Sequence, residues 1–135
     1  MILTFNPQFI EPIKAGTKIH TIRADKKGRW KPGTKIHFWK GNPRNKHQLP
    51  YQFQSGICTD VKFVMLDFIE NDVLVLSTKF KGTNKLLTGI SKLDEFAVND
   101  GFENWECMKQ WFLDEYPEIK VFEGKLIYFK LDEPS

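Results

Sequence analysis

Between Lys35 and Phe80 the chain offers three runs of strand-forming residues, and the connections between them are too short or too rich in Gly, Pro and Asn to hold a crossover helix. Lys35-Ile36-His37-Phe38-Trp39-Lys40 alternates, with Ile36 and Phe38 on one face and His37 and Trp39 on the other, the pattern of a half-buried antiparallel strand. Ile57 to Ile69 is also strand-like, but its apolar parity changes near Phe63-Val64, from 57/61/63/65 to 64/66/68. A bulge or a turned sheet corner is predicted there. Asp72 to Phe80 is almost continuous in Val and Leu, and Glu70-Asn71 is the tight turn before it. Strands joined in this way pair with their chain neighbours, so helices must cover the outside of the sheet rather than alternate with strands.

The flanks supply those helices. Met1 to Phe5 reads as a short apolar strand running into Asn6-Pro7, a helix cap and first turn, after which Phe9, Ile10 and Ile13 repeat at helical spacing. Pro12 shortens or kinks this helix, and Gly16 suits the left-handed residue that ends it. Gly41 to Gly56, with Pro43 and Pro50, reads as a long polar loop, and loops of that length are usually functional or mobile. Later, Ser91 is placed to cap a short helix carrying Leu93, Phe96 and Ala97 on one face. Trp105, Met108, Trp111, Phe112 and Tyr116 mark a second, ended by Pro117, and this aromatic stripe reads as core. Lys125 to Leu131 is a last strand. About six strands, one early helix and two late ones predict an α+β fold, a small mixed or antiparallel barrel with helices at its ends. No linker or repeat divides it, so residues 1–135 read as a single domain.

Charge is distributed unevenly. Residues 1–50 carry 11 Lys and Arg against Glu11 and Asp25, a net +9, and the remainder carries a net −6. A positive field confined to one part of the chain attracts anions, of which phosphate backbones are the commonest large example. Lys26, Lys27, Arg29, Lys31, Arg44 and Lys46 would give salt-sensitive phosphate affinity, whereas a solvated face is the plain alternative. Cys58 and Cys107 have no metal spacing and read as buried free thiols. His20 and His37 have no Cys or carboxylate partner at ligand spacing, so neither a metal nor another cofactor is expected. No charged-then-apolar leader and no apolar run of bilayer length is present, which predicts a soluble, cytoplasmic chain without a membrane partner.

One short stretch concentrates chemistry. Lys18-Ile19-His20-Thr21-Ile22-Arg23 packs ammonium, imidazole, hydroxyl and guanidinium groups into six residues after Gly16-Thr17. Alternate residues of a regular strand share a face, so Lys18 and Thr21 can act on one substrate only if the chain bulges between them or Lys18 lies in the turn before the strand. Arg23 reads equally as a bidentate phosphate ligand or as a structural bridge to Asp25 or Asp100. Trp30, between the turns Asp25-Lys26-Lys27-Gly28 and Lys31-Pro32-Gly33, reads either as a stacking platform or as a plug at the end of the sheet.

Gly16 to Arg23, followed by Arg29-Trp30-Lys31-Pro32-Gly33-Thr34-Lys35-Ile36 and later by Phe96 to Phe102, Trp105-Glu106 and Trp111-Phe112, resembles the ASCH family of the PUA-like superfamily. The resemblance covers most of the chain. It implies a PUA-like β-barrel with a cleft between barrel and helices, and binding of RNA or of a modified nucleoside through Lys18, His20, Arg23, Arg29, Trp30 and Lys31. It also implies an alternative, since some relatives are amidohydrolases that remove the acetyl group of 4-acetylcytidine with a Lys, a Thr and a Glu. Lys18 and Thr21 match the first two, and Asp100 is the nearest match to the third, one methylene shorter. Binding needs only the basic surface, whereas hydrolysis needs Lys18, Thr21 and an acid to converge. A third reading, a protein-interaction adaptor using the acidic later part, rests on the charge polarity alone.

Overall fold

The computed structural model describes residues 1–77 and 84–133. Within them lie seven strands and three α-helices: β1 (Ile2–Phe5), α1 (Ile10–Ala15), β2 (His20–Arg23), β3 (Lys35–Lys40), β4 (Tyr51–Asp67), β5 (Asp72–Ser77), β6 (Asn84–Thr88), α2 (Ile90–Asn99), α3 (Trp105–Glu115) and β7 (Val121–Leu131). The fold is α+β, built on one mixed sheet in which β1 and β3 run parallel and all other neighbours antiparallel.

β4 is the spine. One of its edges pairs with β7 from Gly56 to Asp67, and the other pairs first with β3 and then with β5. β2 lies outside β7 and β1 lies outside β3. Among the described residues no backbone ladder joins β1 to β2, so the sheet does not close; the Arg23 guanidinium spans the gap, donating from Nη2 to the Thr4 carbonyl at 2.8 Å.

Two cores explain the changing parity of β4. Val64 and Leu66 pack with Phe96, Trp105, Met108 and Phe112 under α2 and α3. Val61 and Cys58 pack with Phe5, Phe9, Ile36 and Phe38 on the other face, beside α1. Neighbouring β7 residues divide in the same way, Leu126 facing the first core and Ile127 the second. The register of β4 on β7 is unbroken from Asp60 to Asp67, so no bulge occurs at Phe63-Val64, where it was expected. The irregularity lies instead between Cys58 and Asp60, and Phe63 stays 47% exposed.

Other expectations need correction. Seven strands replace about six, because β6, with only Leu86 and Leu87 as apolar signal, gave no readable pattern. β4 begins at Tyr51, inside the segment read as irregular. α2 begins at Ile90 behind Gly89, so Ser91 lies inside the helix and does not cap it. Asn6 makes no side-chain cap bond, whereas Asn104 accepts from the Cys107 amide at 2.9 Å at the start of α3. Cys58 is buried as expected, and Cys107 is exposed. The last residues assigned to the strand ending at Phe80 lie outside the described residues. No described helix is long and apolar enough to cross a membrane.

Candidate functional site

The site is assembled where two chain turns meet. Pro12 lies in the first turn of α1, where its missing amide costs no helical bond, and Gly16 at φ +82 ends the helix; the Pro12 carbonyl accepts from the amides of Thr17 and Lys18, both at 3.0 Å. The next residue, Ile19, donates to the Asn99 carbonyl at 2.8 Å, at the C-terminal end of α2. Lys18 is thereby set just before β2 and against Asp100. Of the two arrangements the sequence left open, a bulge between Lys18 and Thr21 or Lys18 ahead of the strand, the second is present, because β2 begins at His20.

Among the described residues only four polar side chains are buried, Lys18, His20, Thr21 and Asp100, and they sit together. Buried polar groups cost stability unless they are paired, so such a cluster needs its own partners. Lys18 Nζ donates to the carbonyls of His20 (2.9 Å) and Asp100 (2.5 Å) and stands 3.5 Å from Asp100 Oδ1. The same Oδ1 is 2.9 Å from His20 Nδ1. A lysine at the carbonyl end of α2 also meets the negative end of the helix dipole. The Phe9 and Phe5 rings lie 5.1 and 5.8 Å from Nζ. Burial outweighs the attraction of Asp100, and with help from the Arg23 charge lowers the Lys18 pKa to about 8.

Lys18, Thr21, Arg23 and Asp100 line a cavity of about 250 Å³ walled by Phe5, Phe9, Phe102 and Trp111. That is just below the usual range for small-molecule sites and suits one compact planar group rather than a polymer. Among the described residues the Thr21 hydroxyl has no hydrogen-bond partner and faces this space. Arg23 stands 4.9 Å over the Phe5 ring, its Nε buried without a partner among the described residues, and burial lowers its pKa. It bonds the Thr4 carbonyl and, among the described residues, forms no ion pair with Asp25 or Asp100.

His20 lies on the opposite face of β2 from Thr21. Its ring lines a separate cavity with Tyr128 and Phe96 and reaches the first cavity through Asp100, while its carbonyl accepts from Lys18 Nζ. Arg29, Trp30 and Lys31 are not brought to the site. Arg29 and Lys31 are exposed, and Trp30 is 8% exposed within the second core, so it is a plug and not a stacking platform. Its turn is held by Asp25, whose carboxylate accepts from the Arg29 and Trp30 amides (2.9 and 3.2 Å) and lies 3.7 Å from Lys125 Nζ. Replacing Trp30 by Phe should lower stability by about 1 kcal/mol or more in denaturant unfolding, with ligand affinity unchanged.

Glu115, which also lines the cavity, was not singled out by sequence reasoning. The signal was its spacing from Trp111 and Phe112, which puts it on the same face of α3. No three His, Cys, Asp or Glu side chains among the described residues are grouped to hold a metal ion. Comparison of the chain with family models, with curated proteins and with solved structures gives no significant match.

Proposed function

We propose that this chain is an amidohydrolase of ASCH type that removes an acyl group from the exocyclic amine of a cytidine. The observation that carries the reading is the convergence of Lys18, Thr21 and Asp100 on one small cavity, since plain nucleic-acid binding does not require it. The open strand order β1-β3-β4-β7-β2, with the Arg23 side chain bonded to Thr4 between its two end strands, supports a PUA-like barrel as the underlying architecture.

In this mechanism the neutral Lys18 amine takes the Thr21 hydroxyl proton as Oγ1 attacks the acyl carbonyl carbon. The oxyanion formed is stabilised by the Arg23 guanidinium at the cavity wall. Collapse breaks the C–N bond, and the departing cytosine amine takes its proton from the Lys18 ammonium. Water then attacks the acyl-Thr21 ester, giving its proton to Lys18, and the free acid leaves as Thr21 regains its hydroxyl. Asp100 holds Lys18 and stabilises its charged form, and His20 fixes the carboxylate through Nδ1. The shorter side chain of Asp100 relative to Glu is compensated by placement, because Lys18 approaches both its carboxylate and its carbonyl. The polynucleotide reading has less support, because Arg29, Trp30 and Lys31 all lie outside the cavity. No observation favours the adaptor reading.

Purified protein incubated with 4-acetylcytidine should release cytidine and acetate, measured by chromatography. The rate should rise with pH through about 8 as Lys18 loses its proton. Absence of turnover at high enzyme concentration would overturn the hydrolase reading.

A further inference from the structure

The cavity holding Lys18 shares part of its wall with a neighbour. Thr4, Phe5 and Asn6 also line a second cavity of about 420 Å³, completed by Pro7, Lys40, Gly41, Asn42 and Gln48. Phe5 and Lys40 are direct partners in the parallel pairing of β1 with β3, so the Lys40 backbone lies one strand, roughly 5 Å, from a residue that lines both cavities.

The far wall of this second cavity is a built loop. Between β3 and β4 a hairpin needs as few as two residues, yet residues 41–50 intervene. They are ordered by their own hydrogen bonds: the Asn42 amide donates to Gln48 Oε1 at 2.9 Å, and the Arg44 amide to Asn42 Oδ1 at 2.9 Å. Both bonds engage the side-chain oxygens and leave the NH₂ groups of Asn42 and Gln48 as donors. Lys40 Nζ is held by a long bond to the Gln48 carbonyl, 3.3 Å, and has no carboxylate partner among the described residues. From Lys26 to Thr59 the sequence contains eight Lys or Arg and no Asp or Glu. The cavity therefore has an ammonium, two amide donors and no competing anion, while the acids of the neighbouring site, Asp100 and Glu115, belong to the first cavity.

We propose that the substrate is a nucleotide: the acylated base occupies the Lys18 cavity and a phosphate is seated by Lys40, Asn42 and Gln48. This rests on the acyl-cytidine hydrolase reading and adds the class of substrate to it. Phosphate is the anion that such a set of N–H donors recognises.

The test compares kcat/KM for 4-acetylcytidine, for its 5′-monophosphate and for a short ribo-oligonucleotide carrying one 4-acetylcytidine. The monophosphate should be preferred over the nucleoside by roughly 10- to 100-fold at low salt, the usual scale for a charge-assisted hydrogen bond, and the preference should shrink as salt is added. In Lys40→Ala the ratio of monophosphate to nucleoside should fall toward one, in Lys40→Glu it should drop below one, and in Lys40→Arg it should largely persist. Because the readout is a ratio within one protein, partial misfolding of a variant does not alter it. Equal turnover of nucleoside and monophosphate by the unmodified protein would overturn the phosphate site and leave the hydrolase reading standing. A preference confined to the oligonucleotide would overturn the assignment to a mononucleotide, and hydrolysis of none of the three would overturn the hydrolase reading itself.

Discussion

Lys18→Met should reduce kcat/KM for an acylated cytidine by at least about 1,000-fold while leaving the protein folded. General-base catalysis by a positioned group is worth about 10²–10⁴-fold, and no other described amine lines the cavity. Methionine keeps the length and apolar stem that pack between Phe5 and Phe9 but removes the proton acceptor. The variant also isolates a pH effect on stability. Burial lowers the Lys18 pKa from 10.5 to about 8, so below pH 8 both folded and unfolded chains hold the proton and the burial cost is paid in full. Between about pH 8 and 10.5 the unfolded chain binds more protons than the folded one, so stability must rise with pH. The gain is about 3 kcal/mol over that window. Unfolding midpoints measured from pH 7 to 10.5 should show this gain in the unmodified protein relative to Lys18→Met, and parallel curves would show that Lys18 is not buried in its charged form.

Where local chemistry sets structure, the chain was legible. Gly16 at a left-handed helix end, the alternation of Lys35 to Lys40 and the Pro117 stop after α3 each follow from constraints within a few residues. β4 was legible as a strand but not in its parity, because Val61 and Val64 are both buried on opposite faces, one core lying beside α1 and the other under α2 and α3, and that is settled by packing over the whole chain. Trp30 could not be assigned, since an aromatic beside a basic turn looks the same whether a ligand or Phe38 and Ile36 lie beneath it. The candidate site was half legible. Lys18 and Thr21 announce themselves by density of chemistry, but the contact of His20 with Asp100 joins residues 80 positions apart, and no spacing rule predicts it. Asp100 entered as a catalytic acid through a family likeness alone, and the closeness of Lys40 to Phe5 depends on β1 pairing parallel to β3, a register that neither strand encodes by itself.

Gly101→Ala should destabilise the protein by about 2–5 kcal/mol and lower turnover at least about 100-fold. Two effects combine. Gly101 has φ +94, a conformation that costs a residue with a Cβ about 1–3 kcal/mol. Its added Cβ would also lie 2.7 Å from Lys18 Cδ and 3.0 Å from Phe9 Cδ1. Overpacking of that kind typically costs about 1–3 kcal/mol. Lys18 cannot yield freely, because its Nζ is held by the His20 and Asp100 carbonyls while its backbone amide is held by Pro12. If the stem moves, the amine leaves its place in the cavity that Thr21 also lines, and a displacement of about 1 Å at a reacting group can cost about 100-fold. Gly89→Ala separates the two effects. Gly89 has φ +85 with nothing within 4 Å of an added Cβ, so it carries the backbone strain without the clash. Urea unfolding and turnover measured on both variants should show Gly89→Ala losing stability alone and Gly101→Ala losing stability and rate together. Equal losses of stability with unchanged rates in both would mean that Phe9 moves and Lys18 does not, and that the position of the amine is set from the Pro12 side of the site.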